Sequence, residues 1–484
     1  MPTRPLDQRH VLLIHPLGYQ ASAAQHDISR KANLMPPLGL ASLAAYVERQ
    51  GMTAGIIDCF ARPGSDGEIA AYLREYRPAF LGLTTTTSSF YDAARIAALA
   101  KAELPDITTL VGGPHVSAIR ERALELAPAL DVVIAGEGER PLIAIMEREG
   151  RDWADVPGLV YREGSEIVST GLQGRGIELD ELPFPAYEKL VGYPHLYRLP
   201  IFNYPRTPNT SCISSRGCPY ACSYCDRSVF RRSFRYNSAE YLYQHLAYLK
   251  ERWRIRHINF YDDQFTFSRE RVEAFCRLMI DKPLGMTFNC AVRAEHVDAN
   301  LLQLMKAAGC WMISLGIETG DPELLAQHRQ NADLQVLAER IHDIHRAGIR
   351  TKGLLMLGLP GETEQTVKNS MDYVFSLPID DFNLAKFTPF PGSPIYEGIH
   401  ELGEFDEDWN KLDCMHLQFV PHGMTRARLD ELFTAFYRAH FMRPRTQWGY
   451  VKMLWKSPDS WRRFIGNLGG FLSFAFSNKR MGDA

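Results

Sequence analysis

The chain has 484 residues, 45% hydrophobic and 23% charged, with a net charge of −3 from 54 basic and 57 acidic side chains. At ~150 residues per domain this is length for about three domains, and no compositional bias marks a fibrous or disordered class. The near-neutral balance argues against a nucleic-acid partner. Nine cysteines in so long a chain exclude a small disulfide scaffold and suit a reducing cytoplasm. The polar start Met1–Arg9 does not read as a signal peptide, and no apolar run reaches the ~20 residues of a membrane-spanning helix, so a cytoplasmic protein is expected.

Residues 1–150 alternate strand-like and helix-like segments. The strands are His10–His15, Thr53–Cys59, Ala79–Thr86, Ile107–Val111 and Asp131–Ala135; helical patterns lie at Leu38–Gln50, Asp66–Tyr76, Tyr91–Leu104 and Ser117–Ala127. Short apolar strands joined by crossover helices predict a doubly wound parallel α/β sheet of flavodoxin-like type. Ligands bind such sheets at the carboxyl ends of the strands. The loops there are Pro36-Pro37-Leu38-Gly39, the hydroxyl run Thr84–Ser89, Gly112-Gly113-Pro114-His115 and Gly136-Glu137-Gly138-Glu139. Small and hydroxylated residues let a large ligand approach the backbone. Pro37, Gly39, Thr86, Ser88, Gly112, Gly113, Gly136, Glu137 and Gly138 are therefore candidate ligand contacts. Turn-making alone accounts for one such loop more readily than for four on one edge.

Residues 151–205 read as a connector, with Asp180-Glu181-Leu182-Pro183-Phe184-Pro185 unable to continue a helix. A second βα series occupies 206–400. Its strands are Asn209–Ser214, His257–Asp262, Thr287–Val292, Met312–Ile317, Thr351–Leu357 and Phe382–Phe387. Six βα units predict a partial (β/α)6 barrel with its chemistry at the strand carboxyl ends. Residues 401–484 are expected to form a helical C-terminal region.

Cys218, Cys222 and Cys225 follow the first barrel strand with Cys-x3-Cys-x2-Cys spacing. Three close thiolates suit a [4Fe–4S] cluster with one iron left open, since such a cluster normally takes four cysteines. A structural zinc site would want a fourth ligand at paired spacing, and the nearest, Cys212, falls within a strand. Cys59, Cys276, Cys290, Cys310 and Cys414 are scattered and read as small buried apolar residues.

The cysteine spacing, with Tyr224 before the last thiol, resembles the signature of the radical S-adenosylmethionine (radical SAM) enzymes. The likeness continues at successive strand ends: Phe260-Tyr261-Asp262-Asp263-Gln264, Arg293, Leu315-Gly316-Ile317-Glu318-Thr319-Gly320, and the loops Leu357–Glu362 and Phe387–Gly392. It implies that the three cysteines hold the cluster and that the open iron takes the amino and carboxylate groups of SAM. Tyr224 would lie near the adenine, Asp262 and Asp263 near the amino group, and Arg293, Gly316 and Glu318 near carboxylate and ribose. An arginine suits a carboxylate through paired hydrogen bonds.

With the N-terminal sheet, residues 10–450 resemble the radical SAM subfamily that carries a cobalamin-binding domain. That subfamily includes radical methyltransferases and the anaerobic magnesium-protoporphyrin ester cyclase. The four N-terminal loops would then meet cobalamin. Asp343-Ile344-His345-Arg346-Ala347-Gly348 fits the Asp-x-His-x-x-Gly pattern of cobalt-ligating histidines, but it lies in the second domain and reads as chance. After the first strand stands Pro16-Leu17-Gly18, so the expected cobalamin site has no histidine ligand; His15 is a weak candidate.

The resemblance implies generation of a 5′-deoxyadenosyl radical and modification of an unreactive carbon, with methyl transfer ahead of oxidative cyclisation of a tetrapyrrole-like substrate; the C-terminal stripe described below suggests that the substrate is an apolar small molecule. It also implies an electron donor such as flavodoxin or ferredoxin. A non-catalytic iron–sulfur binding or assembly protein is the reading from another class, and RNA or peptide modification would call for a recognition domain that the sequence does not display. From Asp459 onward, Trp461, Phe464, Ile465, Leu468, Phe471, Leu472 and Ala475 recur at helical spacing, with Arg462, Arg463 and Asn467 on other faces. This stripe packs on the barrel as a closing helix or makes a peripheral membrane contact.

Overall fold

The computed structural model describes residues 5–19, 33–148 and 152–468. The N-terminal unit is built on β1 (Asp7–His15), β2 (Thr53–Asp58), β3 (Pro78–Thr84), β4 (Thr108–Gly112) and β5 (Val132–Ile134). The sheet order is β2-β1-β3-β4-β5, all parallel. Parallel strands covered on both faces read as unbroken apolar runs; Val11, Leu12, Leu13 and Ile14 are at most 2% exposed. One face packs on α1 (Leu38–Arg49) and, at its far end, α6 (Glu139–Glu147). The other packs on α2 (Asp66–Tyr76), α3 (Phe90–Glu103), α4 (Pro114–Ile119) and α5 (Glu121–Leu126), with Trp409 from the C-terminal region closing the layer.

Two features of this sheet depart from the sequence expectation. The helix expected over Ser117–Ala127 is broken at Arg120, which adopts a left-handed φ of 46°. The guanidinium of Arg120 donates to Ser169 Oγ (2.8 Å) and Gly171 O (3.1 Å), which anchors the next strand pair. That pair, β6 (Leu159–Glu163) and β7 (Glu166–Ser169), lies in the stretch read as a connector and adds an antiparallel edge to the sheet. The two-residue turn Gly164-Ser165, with Gly164 at φ +61°, is a hairpin connection of the favoured length.

The second sheet is six-stranded and all parallel, in the order β8 (Asn209–Cys212), β11 (His257–Phe260), β12 (Thr287–Val292), β13 (Cys310–Glu318), β14 (Arg350–Leu357) and β15 (Asp381–Lys386). A short hairpin, β9 (Ser215–Arg216) with β10 (Arg235–Tyr236), brackets the cysteine loop. The barrel helices α7 (Ala239–Trp253), α8 (Arg269–Asp281), α9 (Ala299–Ala307), α10 (Pro322–His328), α11 (Leu334–Arg346) and α12 (Glu364–Ser376) start at side-chain caps from Ser238, Ser268, Asp298, Asp321, Asp333 and Thr363. Each such cap contributes about 1 kcal/mol. The six strands fall where the sequence places them.

The C-terminal region is not wholly helical. A hairpin of β16 (Gly403–Phe405) and β17 (Phe419–Pro421) precedes α13 (Arg426–Met442), α14 (Pro444–Lys456) and α15 (Pro458–Gly466). On α15 the buried residues are Ser460 and Arg463, so Arg463 lies on the packed face rather than an outer one. Arg463 donates to Leu199 O and Tyr204 Oη, both at 2.8 Å, while Ser460 Oγ accepts from Phe202 N (3.0 Å). Phe471, Leu472 and Ala475 of the expected stripe lie outside the described residues. Among the described residues no helix is long and apolar enough to cross a membrane.

Candidate active site

The carboxyl ends of the two sheets face one another across a cavity of ≈ 400 Å³. From the N-terminal sheet, Gly39, Thr84, Gly112, Gly113, Gly136 and Gly138 line it; from the barrel, Ile213, Arg216, Tyr261 and Asp263. A Cβ at Gly39 would meet nothing within 4 Å and one at Gly112 only Ile134 O at 3.7 Å, so the backbone is bare to an incoming ligand. Gly113, at φ +111°, is fixed for another reason: a Cβ there would strike Thr85 O at 2.5 Å.

Not every expected contact reaches the cavity, and Pro37, Thr86 and Ser88 are not among its lining residues. Thr86 and Ser89 close on each other, Thr86 N donating to Ser89 Oγ (3.0 Å), and the run turns away as a 3-10 turn over Thr87–Ser89. Thr84 lines the cavity in its place. Glu137 lines it, but its carboxylate is taken by Arg216 Nη1 (2.5 Å) and by Arg235. Arg216 also holds the buried Glu139 at 2.6 Å. Burial alone would push Glu139 up, and the guanidinium beside it keeps its carboxyl below the usual range. The Gly-Glu-Gly-Glu loop thus supplies two glycines to the cavity lining, packed on Gln173 and Leu43, and two glutamates that tie the first sheet to the barrel.

His15 does not line the cavity; its Nδ1 lies 2.9 Å from Asp58. His345 is exposed on α11, remote in the fold from the N-terminal sheet. A histidine that the sequence reading missed, His245 on α7, does line the cavity. Both its nitrogens are engaged, Nε2 with Tyr187 Oη (3.0 Å) and Nδ1 with Cys212 Sγ (3.5 Å). Phe184 stacks on its ring at 4.7 Å. Burial drives its pKa down to about 3, so it is a neutral member of the wall.

The cysteine loop opens at Gly217, whose φ of +86° and contact with Ser233 O, 2.2 Å from any added Cβ, leave room for glycine alone. Cys222 is buried, Cys218 half-buried and Cys225 exposed. A hydrogen bond from the Cys225 thiol, then backbone and the Arg293 cation, hold the Cys222 thiol below its usual range, which favours its thiolate form. Arg293 Nη1 lies 3.9 Å from its sulfur, and the same guanidinium stacks on Tyr220 at 3.9 Å and donates to Gln330 O (2.6 Å). The loop is pinned to later strand ends: Ser223 N donates to His328 O (3.0 Å), and Ser223 Oγ meets His328 Nδ1 (2.9 Å), whose Nε2 lies 2.8 Å from Pro360 O. Among the described residues no three side chains converge on one metal ion. A cubane cluster asks for something else, one thiolate on each of three irons, and three thiols on one short loop beside an arginine fit it.

Around the thiols stand the other expected residues. Tyr224 packs against the apolar cluster of Leu324, Leu359, Phe387 and Phe419. Glu318 ends β13 at φ +66°, a strained setting for a residue other than glycine. Burial, with the Cys222 charge, raises its pKa to about 7, while Arg329 and the Tyr224 hydroxyl oppose the rise. Gly316 stands beside it, and a Cβ there would press on the Glu318 carboxylate, which would have to shift. Arg329, which sequence reasoning missed, donates to Gly316 O. Asp262 differs from expectation. Its oxygens accept from Ser214 N (2.7 Å), Ser214 Oγ (2.9 Å) and Ser215 Oγ (2.7 Å), so it braces the cysteine strand, and Asp263 is the carboxylate that faces the cavity.

A barrel edge carrying three ligand-type thiols, set against a glycine-edged parallel sheet, defines a radical SAM enzyme with a second cofactor domain. Residues 212–374 match the Radical SAM superfamily and residues 28–146 the B12 binding domain. The chain belongs to the radical SAM enzymes that carry a B12-binding domain, and its cofactors are a [4Fe–4S] cluster, SAM and cobalamin. It is 27% identical to an uncharacterized methyltransferase of Pyrococcus horikoshii, over 85% of this chain and 88% of that one. It is also 27% identical to the anaerobic magnesium-protoporphyrin IX monomethyl ester cyclase of Rubrivivax gelatinosus, over 97% and 83%. Among solved structures, the fold matches the cobalamin-dependent radical enzyme OxsB with aqua-cobalamin and SAM bound, at TM-score 0.71 and 16% identity over 97% and 73% of the chains. It matches the methyltransferase TsrM of Kitasatospora setae at TM-score 0.65 and 19% identity over 81% and 75%.

Proposed function

We propose that this enzyme methylates an unreactive carbon of an apolar small molecule bound between its two sheets. The observation that carries the reading is the central cavity walled by the glycine-rich edge of the first sheet and by the barrel strand ends next to the cysteine loop, Ile213, Arg216, Tyr261 and Asp263 among them; the three cysteines themselves are not among its lining residues. When bound, the cluster and SAM supply a carbon-centred radical oxidant and cobalamin a transferable methyl group. Cys218, Cys222 and Cys225 would hold the cluster, and Arg293 balances its thiolate charge. Tyr224, Gly316 and Glu318 would line the SAM side, with Asp263 facing the cavity. Gly39 and Gly112 would let the corrin approach the backbone, with Gly113, Gly136 and Gly138 beside them on the lining. More than half of the lining residues are aliphatic or aromatic, an apolar setting that suits an apolar substrate.

Support for a methyl acceptor chemistry comes from relatives named as methyltransferases, including a hopanoid C-3 methylase of Methylococcus capsulatus, 28% identical over 74% of this chain. The cyclase relatives support oxidative ring closure as the second reading. Anaerobically reconstituted enzyme given deuteromethyl-SAM, cobalamin and candidate acceptors should yield a product heavier by the labelled methyl. An unlabelled product two hydrogens lighter would replace methylation with cyclisation, and a reduced, cluster-replete enzyme that leaves SAM intact would overturn both.

A reduced flavodoxin or ferredoxin would supply the electron. Access to apolar substrate at a membrane surface is supported by α13–α15, where Phe441, Met442, Trp448, Trp455 and Ile465 are 48–74% exposed. Arg438, Arg445, Lys452, Lys456 and Arg462 stand among them, with no carboxylate at ion-pair distance among the described residues.

A further inference from the structure

Beside the central cavity runs a second groove of ≈ 620 Å³. Its walls are the connector segment Leu172–Gly176 and the segment Ser228–Arg235, which begins three residues after Cys225; its floor is Ser117, Arg120 and Ala135–Glu137. The two spaces share Gly136, Glu137, Val229 and Phe230 as a common wall. Five arginines line the groove (120, 175, 231, 232 and 235), against one carboxylate, Glu137. Glu137 is already spent on Arg216 and Arg235, Arg175 pairs with Glu178 at 2.6 Å, and Arg120 lies 3.6 Å from Glu121.

Arg231 and Arg232 have no carboxylate partner among the described residues. Arg231 donates only a long bond to Gln173 O (3.3 Å), and both side chains are exposed on the groove. The backbone holds them there: Arg231 has φ +54°, a setting a non-glycine residue keeps only where its surroundings enforce it, and its N–H donates to Arg227 O (2.7 Å). The facing wall is equally fixed. A Cβ at Gly176 would collide with Glu137 Oε1 at 2.2 Å and with the Arg235 guanidinium at 2.6 Å, so the connector lies in direct contact with the buried ion pair. A fixed groove with surplus guanidinium groups is a site for an oxyanion, which arginine binds through paired hydrogen bonds.

We infer that the substrate carries a phosphate or pyrophosphate group, held by Arg231 and Arg232 in this groove while its apolar part passes the Val229–Phe230 wall into the central cavity. This rests on the reading of the central cavity as the reaction site. The test needs no turnover, so the two fail separately: SAM cleavage by the wild-type enzyme decides the first, and anion binding decides the second. Inorganic pyrophosphate titrated calorimetrically into the full chain should bind, and Arg231→Gln/Arg232→Gln should weaken it at least ten-fold. Arg254→Gln/Arg256→Gln, exposed cations elsewhere on the barrel, should leave it unaltered. The same titration is repeated with cobalamin loaded, because cobalamin brings a phosphate of its own. Binding that persists supports a substrate anion, whereas binding abolished by cobalamin assigns the groove to the cofactor and overturns the inference. Absence of pyrophosphate binding, or equal loss in both double variants, overturns it as well.

Discussion

At the reaction edge the surroundings push a buried thiol and a buried acid in opposite directions. Cys222 is held low by its neighbours, and a thiolate is the form that ligates iron. Replacing Cys218, Cys222 and Cys225 together by alanine should lower the iron content of anaerobically reconstituted protein from about four per chain, that of a [4Fe–4S] cluster, to none, with SAM cleavage lost. Full iron retention in the triple variant would remove these residues from the cluster. Glu362 lies in the loop after β14, fully enclosed, and burial lifts its carboxyl to about 8 although the Gly358 and Leu359 amides favour the charged form. The folded protein therefore keeps this proton until pH rises to about 8, while the unfolded chain releases it near 4.5. Between those values the folded state binds more protons, so stability contributed by Glu362 is present at low pH and falls as pH rises through the window. At about 1.36 kcal/mol per pKa unit the effect amounts to a few kcal/mol. Guanidinium denaturation should show a shallower decline from pH 5 to 8 for Glu362→Gln than for wild type; parallel declines would contradict it.

At the scale of elements, Arg216 on the β9–β10 hairpin is the member on which the two sheets depend. It faces Glu137 and the 4%-exposed Glu139, and removing the cation strands a buried carboxylate. Such losses cost about 3–5 kcal/mol, so Arg216→Ala should lower the denaturation midpoint far more than Glu139→Gln, which leaves Glu137 in place. The positions of the five parallel strands of the first sheet and the six of the second were legible because most are short apolar runs bounded by glycine or a capping residue, and the candidate site because its residues recur at successive strand ends. Three things were not. Glu163-Gly164-Ser165-Glu166 carries a hairpin signal, but where that hairpin docks depends on distant partners, the β5 backbone and the guanidinium of Arg120. Asp262 and Asp263 are chemically alike, and only the pleat and the Ser214–Ser215 hydroxyls decide that one braces while the other faces the cavity. His245 and Arg329 sit on helical or loop stretches with no motif around them, so tertiary packing alone brings them to the site.

For the molecule as a whole, the cobalamin edge and the C-terminal surface have separate tests. Among the described residues no histidine with a free nitrogen lines the central cavity, and the expectation of a site without a histidine ligand is tested on bound cobalamin. Its visible spectrum should be the same in wild type and His345→Ala, and a change would restore the Asp-x-His-x-x-Gly motif to relevance.

The closing-helix and membrane readings of the C-terminus are compatible, because they use different residues. Arg463, Ser460 and Asp459 turn inward, Asp459 accepting from Tyr204 Oη at 2.8 Å, while Trp448, Trp455 and Ile465 face out. An exposed aromatic surface mixed with cations that have no carboxylate partner among the described residues would suit an interface with anionic headgroups. Trp448→Ser/Trp455→Ser should reduce co-sedimentation with phosphatidylserine-containing vesicles several-fold while leaving the melting temperature close to wild type. Arg463→Ala should do the opposite, lowering the melting temperature through loss of its bonds to Leu199 and Tyr204 and sparing vesicle binding at low temperature. If wild-type protein does not sediment with such vesicles, the exposed tryptophans do not serve a lipid surface, and the inward contacts of α15 stand as its whole role.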